Sequence, residues 1–272
     1  MHEMHKIKTG HCDVNGARLY YEIRGAGPSV LFVSGATGDA GHHRAVADVL
    51  ADEFTAIMYD RRGNSRSPRP AGWTSTSMEE QADDAAALLA SLGAAPAAVF
   101  GTSGGALIVC SLLLRRPEAL RGAILHEPPL ASAVPEAAEG IGELKAMIEH
   151  AIAKGGLPGG VEAFVRSAAG TAFDAIPDET RSRMLGNGET LFAVELEQFL
   201  SYRPDEKALG AVRVPVRLLV GDETTPLFAG AAQWLAARLR TTVGTLSGAH
   251  APYFDRPDVV ARSLRPILRE MA

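Results

Sequence analysis

Cysteine is scarce in this chain: only Cys12, in a polar amino-terminal segment, and Cys110, in an apolar run, occur among 272 residues. So wide a separation builds no disulfide framework, and one partly exposed and one buried thiol are expected. Long apolar runs are missing as well. No stretch approaches the roughly 20 residues that span a bilayer, and Met1-His2-Glu3-Met4-His5-Lys6 has no apolar core of a secretion signal. A cytoplasmic protein without a membrane partner is the expectation. A basic surplus is lacking too. Lys plus Arg total 27 against 32 Asp plus Glu, a net charge of −5, which argues against nucleic acid as a partner. Repeats and low-complexity linkers are absent, which points to one domain. His2, His5 and His11 read as part of a solvated tail, so no metal site is assigned, and no cofactor.

What the chain does have is an ordinary globular balance, 46% hydrophobic and 22% charged, and enough length to cover a sheet on both faces. Arg18–Ile23 reads as a strand, and Asn15-Gly16 before it as a hairpin turn. Short unalternating apolar runs follow at Ser29–Val33, Thr55–Tyr59, Ala97–Phe100, Gly122–Leu125 and Val216–Val220, with a weaker one at Thr242–Leu246. Such runs suit parallel strands buried on both faces. Helical patterns lie between them at Arg44–Leu50, Met78–Leu92 (Ser77 as N-cap), Ala106–Arg115, Phe228–Leu239 and Val259–Leu268. The rhythm breaks between Pro128 and Leu209. There, helical stretches at Gly142–Ala153, Val161–Ala168 and Leu191–Leu200 follow one another without a strand. The expected fold is therefore α/β: a mostly parallel eight-stranded sheet, helices on both faces, and a helical cap inserted after the sixth strand. Residues 1–127 and 210–272 form the core on this reading, and 128–209 the cap.

Chemistry first surfaces at Gly101-Thr102-Ser103-Gly104-Gly105, which ends a buried strand and opens a helix. That is the setting of a G-x-S-x-G nucleophile elbow. The turn strains the backbone at the serine, so only small neighbours fit. The helix amino terminus directs free N–H groups toward developing negative charge.

With this elbow in place, the chain from about Val14 to Leu268 resembles the α/β-hydrolase family, four segments matching in the family's order. Val33-Ser34-Gly35-Ala36 stands where the family has its first oxyanion loop, with Ser34 replacing the common histidine. Tyr59-Asp60-Arg61-Arg62-Gly63-Asn64-Ser65-Arg66-Ser67 is similar to the family's D-x-R-G-x-G-x-S turn, where Asp and Arg hold loops together by ion pairs. The elbow is third, and Ser247-Gly248-Ala249-His250 matches the catalytic histidine loop. The resemblance implies Ser103 as nucleophile, His250 as general base, and backbone N–H groups of Ala36 and Gly104 as the oxyanion hole.

For the acid, family members place an aspartate three residues beyond a glycine after the penultimate strand. Here that stretch is Gly221-Asp222-Glu223-Thr224, and Thr224 cannot carry the charge. Glu127 in Leu125-His126-Glu127-Pro128-Pro129 is the other carboxylate at a strand end. Strands lie about 4.8 Å apart, so an acid one strand inward needs the longer glutamate side chain. This arrangement resembles the zearalenone-type lactone hydrolases and bacterial hydrolases with a His-Glu-Pro-Pro step. Glu127 is the favoured acid and Asp222 the alternative, with His126 structural.

The implied reaction is hydrolysis of a small apolar ester or lactone through an acyl-enzyme. Perhydrolase or haloperoxidase, carbon–carbon hydrolase and lyase chemistries share the triad, and a slow-turnover ligand receptor is a reading from another class. Ser103 excludes the dehalogenases and epoxide hydrolases, which need an aspartate nucleophile. Phe164, Phe173, Phe192, Phe199 and Tyr202 are the aromatic residues of the cap, and Phe192 and Phe199 are the expected pocket residues. Monomer or homo-oligomer is left open by the sequence, as is substrate identity.

Overall fold

The computed structural model describes residues 7–135 and 137–272, so His2 and His5 of the amino-terminal tail lie outside the described residues. His11 is in the first strand. The strands are β1 (Lys8–Val14), β2 (Ala17–Arg24), β3 (Ser29–Val33), β4 (Thr55–Tyr59), β5 (Ala97–Thr102), β6 (Leu120–His126), β7 (Val216–Gly221) and β8 (Val243–Leu246). They form one eight-stranded sheet in the order β1-β2-β4-β3-β5-β6-β7-β8. The β1/β2 and β2/β4 pairs are antiparallel and all others parallel. Asn15-Gly16 turns the first hairpin with both residues at positive φ, 46° and 76°, as a two-residue loop requires.

Alternate residues of the central strands feed opposite cores. Leu31, Val33, Ile57, Tyr59 and Val99 pack on one side, and Val30, Phe32, Met58 and Phe100 on the other. This period of two on a doubly covered sheet explains runs that are apolar without alternation. Helices α1 (Arg44–Leu50), α2 (Met78–Ser91) and α3 (Gly104–Arg115) follow their strands. The Ser77 side chain caps α2 by accepting from Glu80 N–H. Helices α2 and α3 cover the first side, and α1 the second.

Between β6 and β7 the chain is helical, with no strand among the described residues. Helix α4 (Ala137–Ala169) spans the first two predicted stretches of the insertion, with a kink between them at Gly156, φ 64°, followed by Pro158. The Gly155–Gly160 break thus separates two helical segments, as the sequence leads one to expect. Then come α5 (Asp178–Gly186), the short α6 (Gly188–Thr190), a π-helical turn at Leu191–Glu195, α7 (Leu196–Ser201) and α8 (Glu206–Ala211). Neither α5 nor α8 was expected from apolar periodicity. After β7, α9 (Pro226–Leu239) packs on the α2/α3 side, and α10 (Pro252–Asp255) and α11 (Pro257–Glu270) on the α1 side. Among the described residues no helix is long and apolar enough to cross a membrane. Cys12 is half-buried and Cys110 buried, both free.

Candidate active site

Strand β5 ends at Thr102 and α3 begins at Gly104, leaving Ser103 alone in the turn with φ 54° and ψ −131°. A non-glycine residue here is strained and must be held by its surroundings. Its N–H donates to His126 O at 3.0 Å, and its carbonyl accepts from Ala106 N–H at 2.8 Å. The flanking glycines are required by close approach. A Cβ at Gly101 would run into the Gly105 carbonyl, and one at Gly105 into the carbonyls of Val33 and Ser34. Gly35 of the β3 loop lies against Ser103 in the same manner, since a Cβ there would sit 2.8 Å from the serine Cβ.

Glu127 follows β6, also at positive φ, 47°, and is fully buried. Its Oε1 accepts from Gly221 N–H at 2.9 Å, and its Oε2 lies 2.7 Å from Nδ1 of His250. Burial pushes the carboxyl up, but the hydrogen bond and charge of His250 outweigh it and hold the group at about 2. His250 stands in the loop after β8, its ring stacked on Phe228 with centroids 4.2 Å apart. Asp222, the other candidate acid, is exposed, and its Oδ1 accepts from Gly248 N–H at 2.7 Å. It braces the loop that carries His250 and makes no contact with the ring among the hydrogen bonds of the described residues. His126 points elsewhere: its Nδ1 lies 3.1 Å from the Thr102 hydroxyl, buried, and burial lowers it to about 4, leaving it neutral at pH 7.

Ser103, His250, Ala36 and Gly104 share the lining of one cavity of about 640 Å³. Its walls come from the insertion (Ile141, Leu144, Phe164, Phe199) and from α9 (Phe228). Among the described residues, no Asp, Glu, Lys or Arg lines it. Phe199 stands over the elbow, and a Cβ on Gly104 would meet its ring at 2.7 Å.

Phe192 does not line the cavity. It packs inside the insertion with Val161, Leu191 and Leu196. Seven residues make nearly two turns of a regular α-helix, which would put Phe192 and Phe199 on one face. The π turn at Leu191–Glu195 holds an extra residue, and its wider winding rotates the two rings apart. Phe173 packs with Ile176 and Met184 behind the cavity wall, to which Met184 contributes and Phe173 does not. Phe228, which supports the His250 ring, was visible in the sequence only as the start of a helix.

The Asp60-Arg61-Arg62 turn is bound by ion pairs throughout. Arg66 reaches Asp60, Arg62 clasps Asp84 through two nitrogens, and Arg61 pairs with Glu195 of the insertion, both fully buried. Among the described residues, no group of three or more His, Cys, Asp or Glu side chains is arranged to hold a metal ion.

The model of the alpha/beta hydrolase fold family matches residues 28–149. An uncharacterized hydrolase of Bacillus subtilis, YraK, is 34% identical over 257 residues, covering 91% of each chain. A zearalenone hydrolase of Bionectria ochroleuca is 28% identical over 252 residues, 91% of this chain and 92% of that one. Among solved structures, a thermophilic esterase from Thermogutta terrifontis superposes with a TM-score of 0.78 at 23% identity, over 97% of this chain and 99% of the other. The order of the sheet, the serine turn between β5 and α3 and the full-length likeness to YraK agree: this chain belongs to the α/β-hydrolase fold family and is a hydrolase of that family.

Proposed function

We propose that this hydrolase cleaves a neutral, apolar carboxylic ester or lactone with a Ser103–His250–Glu127 triad. The observation that carries this reading is the 2.7 Å contact of His250 Nδ1 with the buried Glu127 Oε2, in a cavity that His250 shares with Ser103. Nδ1–H then donates to the carboxylate, which leaves Nε2 as the acceptor for the serine proton. Ser103 Oγ attacks the carbonyl carbon as its proton passes to Nε2, and the carbonyl oxygen takes the negative charge. Backbone N–H groups of Ala36 and Gly104 receive that oxyanion. Collapse expels the alkoxide, which leaves with the proton from His250. Water, deprotonated by His250, attacks the acyl-enzyme and restores Ser103.

Residues 128–209 act in this reading as a cap that supplies the apolar wall. The walls favour a substrate without charge, because an ion carried into them would lose its hydration without a partner. A lactone is favoured alongside simple esters by the likeness to a zearalenone hydrolase.

The direct test is turnover of p-nitrophenyl butyrate and of an uncharged aliphatic lactone, together with labelling by an organophosphonate. Multiple turnover, a single label on Ser103 and loss of both in Ser103→Ala with an unchanged unfolding transition are expected. A label on another residue, or full activity in the alanine variant, would sink the proposal.

A further inference from the structure

Arg61 and Glu195 form a fully buried ion pair between the turn after β4 and the π turn of the insertion. Two guanidinium nitrogens contact the two carboxylate oxygens, Nη2 to Oε2 at 2.9 Å. Glu195 Oε1 also accepts from Asn64 Nδ2 at 3.1 Å and Gln81 Nε2 at 3.3 Å. The remaining Arg61 donors point at the loop beside Ser103. Nε donates to Ser34 O at 3.1 Å and Nη2 to Gly35 O at 2.9 Å, while the Arg61 N–H donates to Gly38 O at 2.8 Å. The Arg61 guanidinium also lies 5.5 Å from the ring centroid of Phe199, and that ring rests on Gly104.

We infer that Arg61, held by Glu195, is a positioning residue for the oxyanion hole, and that docking of the insertion is what sets it. The reasoning rests on the hydrolase reading above and on the planarity of one peptide unit. The Gly35 carbonyl and the Ala36 N–H belong to the same trans peptide, so they point in opposite directions. A guanidinium that anchors Gly35 O on one side thereby turns Ala36 N–H toward the other. Gly35 is pressed against Ser103, so a small rotation of this unit moves the donor relative to the reacting carbon. Arg61 can do this because its rigid fork serves a carboxylate and two carbonyls at once, which a lysine ammonium on a flexible stem does not. The carboxylate comes from the insertion. The wall that receives substrate and the donor that stabilises the transition state are consequently coupled through one side chain.

The experiment measures kcat and KM for p-nitrophenyl butyrate, and the inhibition constant of an alkylboronic acid that forms a tetrahedral adduct on serine. Three variants of the full chain are compared: Glu195→Gln, Arg61→Lys, and the neutral pair Arg61→Met with Glu195→Leu. Loss of one oxyanion donor costs about a hundredfold or more in kcat, and misdirecting one is expected to cost on the order of ten- to thirtyfold. Each variant should lose kcat by that factor, with KM within about threefold. The boronic acid should weaken in parallel with kcat/KM, because both depend on the same donors. A purely structural role predicts otherwise. Arg61→Lys, which keeps the ion pair, would restore kcat, and the neutral pair would regain activity along with its unfolding midpoint, since apolar replacement of a buried pair is tolerated. Either result overturns the inference. If the neutral pair does not fold, Arg61→Lys decides by itself. Absence of turnover and of Ser103 labelling in the unaltered protein would instead overturn the hydrolase reading, which separates the two failures.

Discussion

At His250, one carboxylate reaches the ring and a second reaches the loop that carries it, so only one touches the ring. Glu127 contacts Nδ1, whereas Asp222 is occupied with the N–H of Gly248. An amide at the first position would favour the wrong imidazole tautomer with the shape preserved. The same exchange in a serine protease lowers turnover about ten-thousandfold. Glu127→Gln is therefore expected to reduce kcat by on the order of a hundredfold or more. Asp222→Asn keeps an acceptor for Gly248 N–H and should stay within about tenfold, as the loss of a single charge-assisted hydrogen bond predicts. Steady-state rates on one ester, with both variants shown folded by circular dichroism, check this pair. A dead Asp222→Asn beside a healthy Glu127→Gln would reverse the assignment.

Among the elements, the π turn at Leu191–Glu195 has the largest consequence for the cavity. It turns Phe199 onto the elbow, leaves Phe192 in the packing of the insertion and brings Glu195 to Arg61. Phe199→Ala should thus enlarge the cavity and shift the preferred acyl chain toward longer esters, at a stability cost of about 3 kcal/mol. Phe192→Ala should lower stability, by less because the side chain is half-buried, and leave the chain-length ranking alone. A panel of p-nitrophenyl esters from acetate to decanoate tests both. Equal changes in ranking would mean that the two rings share the pocket after all. No feature of the sequence near Phe192 signals the extra residue in the turn. The period of the apolar residues is compatible with a regular helix, and the wider winding appears only in the structure, where Glu195 at its end pairs with Arg61 of the core.

In the molecule as a whole, His42, His43 and His126 are buried with few polar partners, and burial lowers all three, His42 and His126 to about 4. The unfolded chain takes up these protons near pH 6.5. Stability from keeping each ring neutral is fully present above pH 6.5, falls below it, and is gone near pH 4 for His42 and His126. By linkage this amounts to about 3 kcal/mol for each of these two. Glu127, held at about 2, loses its contribution only between about pH 4.5 and 2, so the histidines dominate the earlier decline. Urea midpoints should fall steadily from pH 7 to 4. His43→Phe should flatten the slope, because His43 sits among Phe32, Phe100 and Tyr253 and its Nε2 has no hydrogen-bond partner among the described residues. An unchanged slope in that variant would remove His43 from the account. The sequence by itself determined strands β2 to β8 and the helices α1, α2, α3, α9 and α11 of the core, the hairpin at Asn15-Gly16 and the strained turn at Ser103, because each is written in neighbouring residues: apolar period, cap, and small side chains where backbones meet. Only the tertiary structure decided which carboxylate meets His250, which aromatic ring faces Ser103 and what Glu195 binds. Glu127 and His250 are 123 residues apart and Arg61 and Glu195 are 134 apart. Contacts between residues so distant along the chain are fixed by strand order and by the winding of one helical turn, neither of which local periodicity encodes.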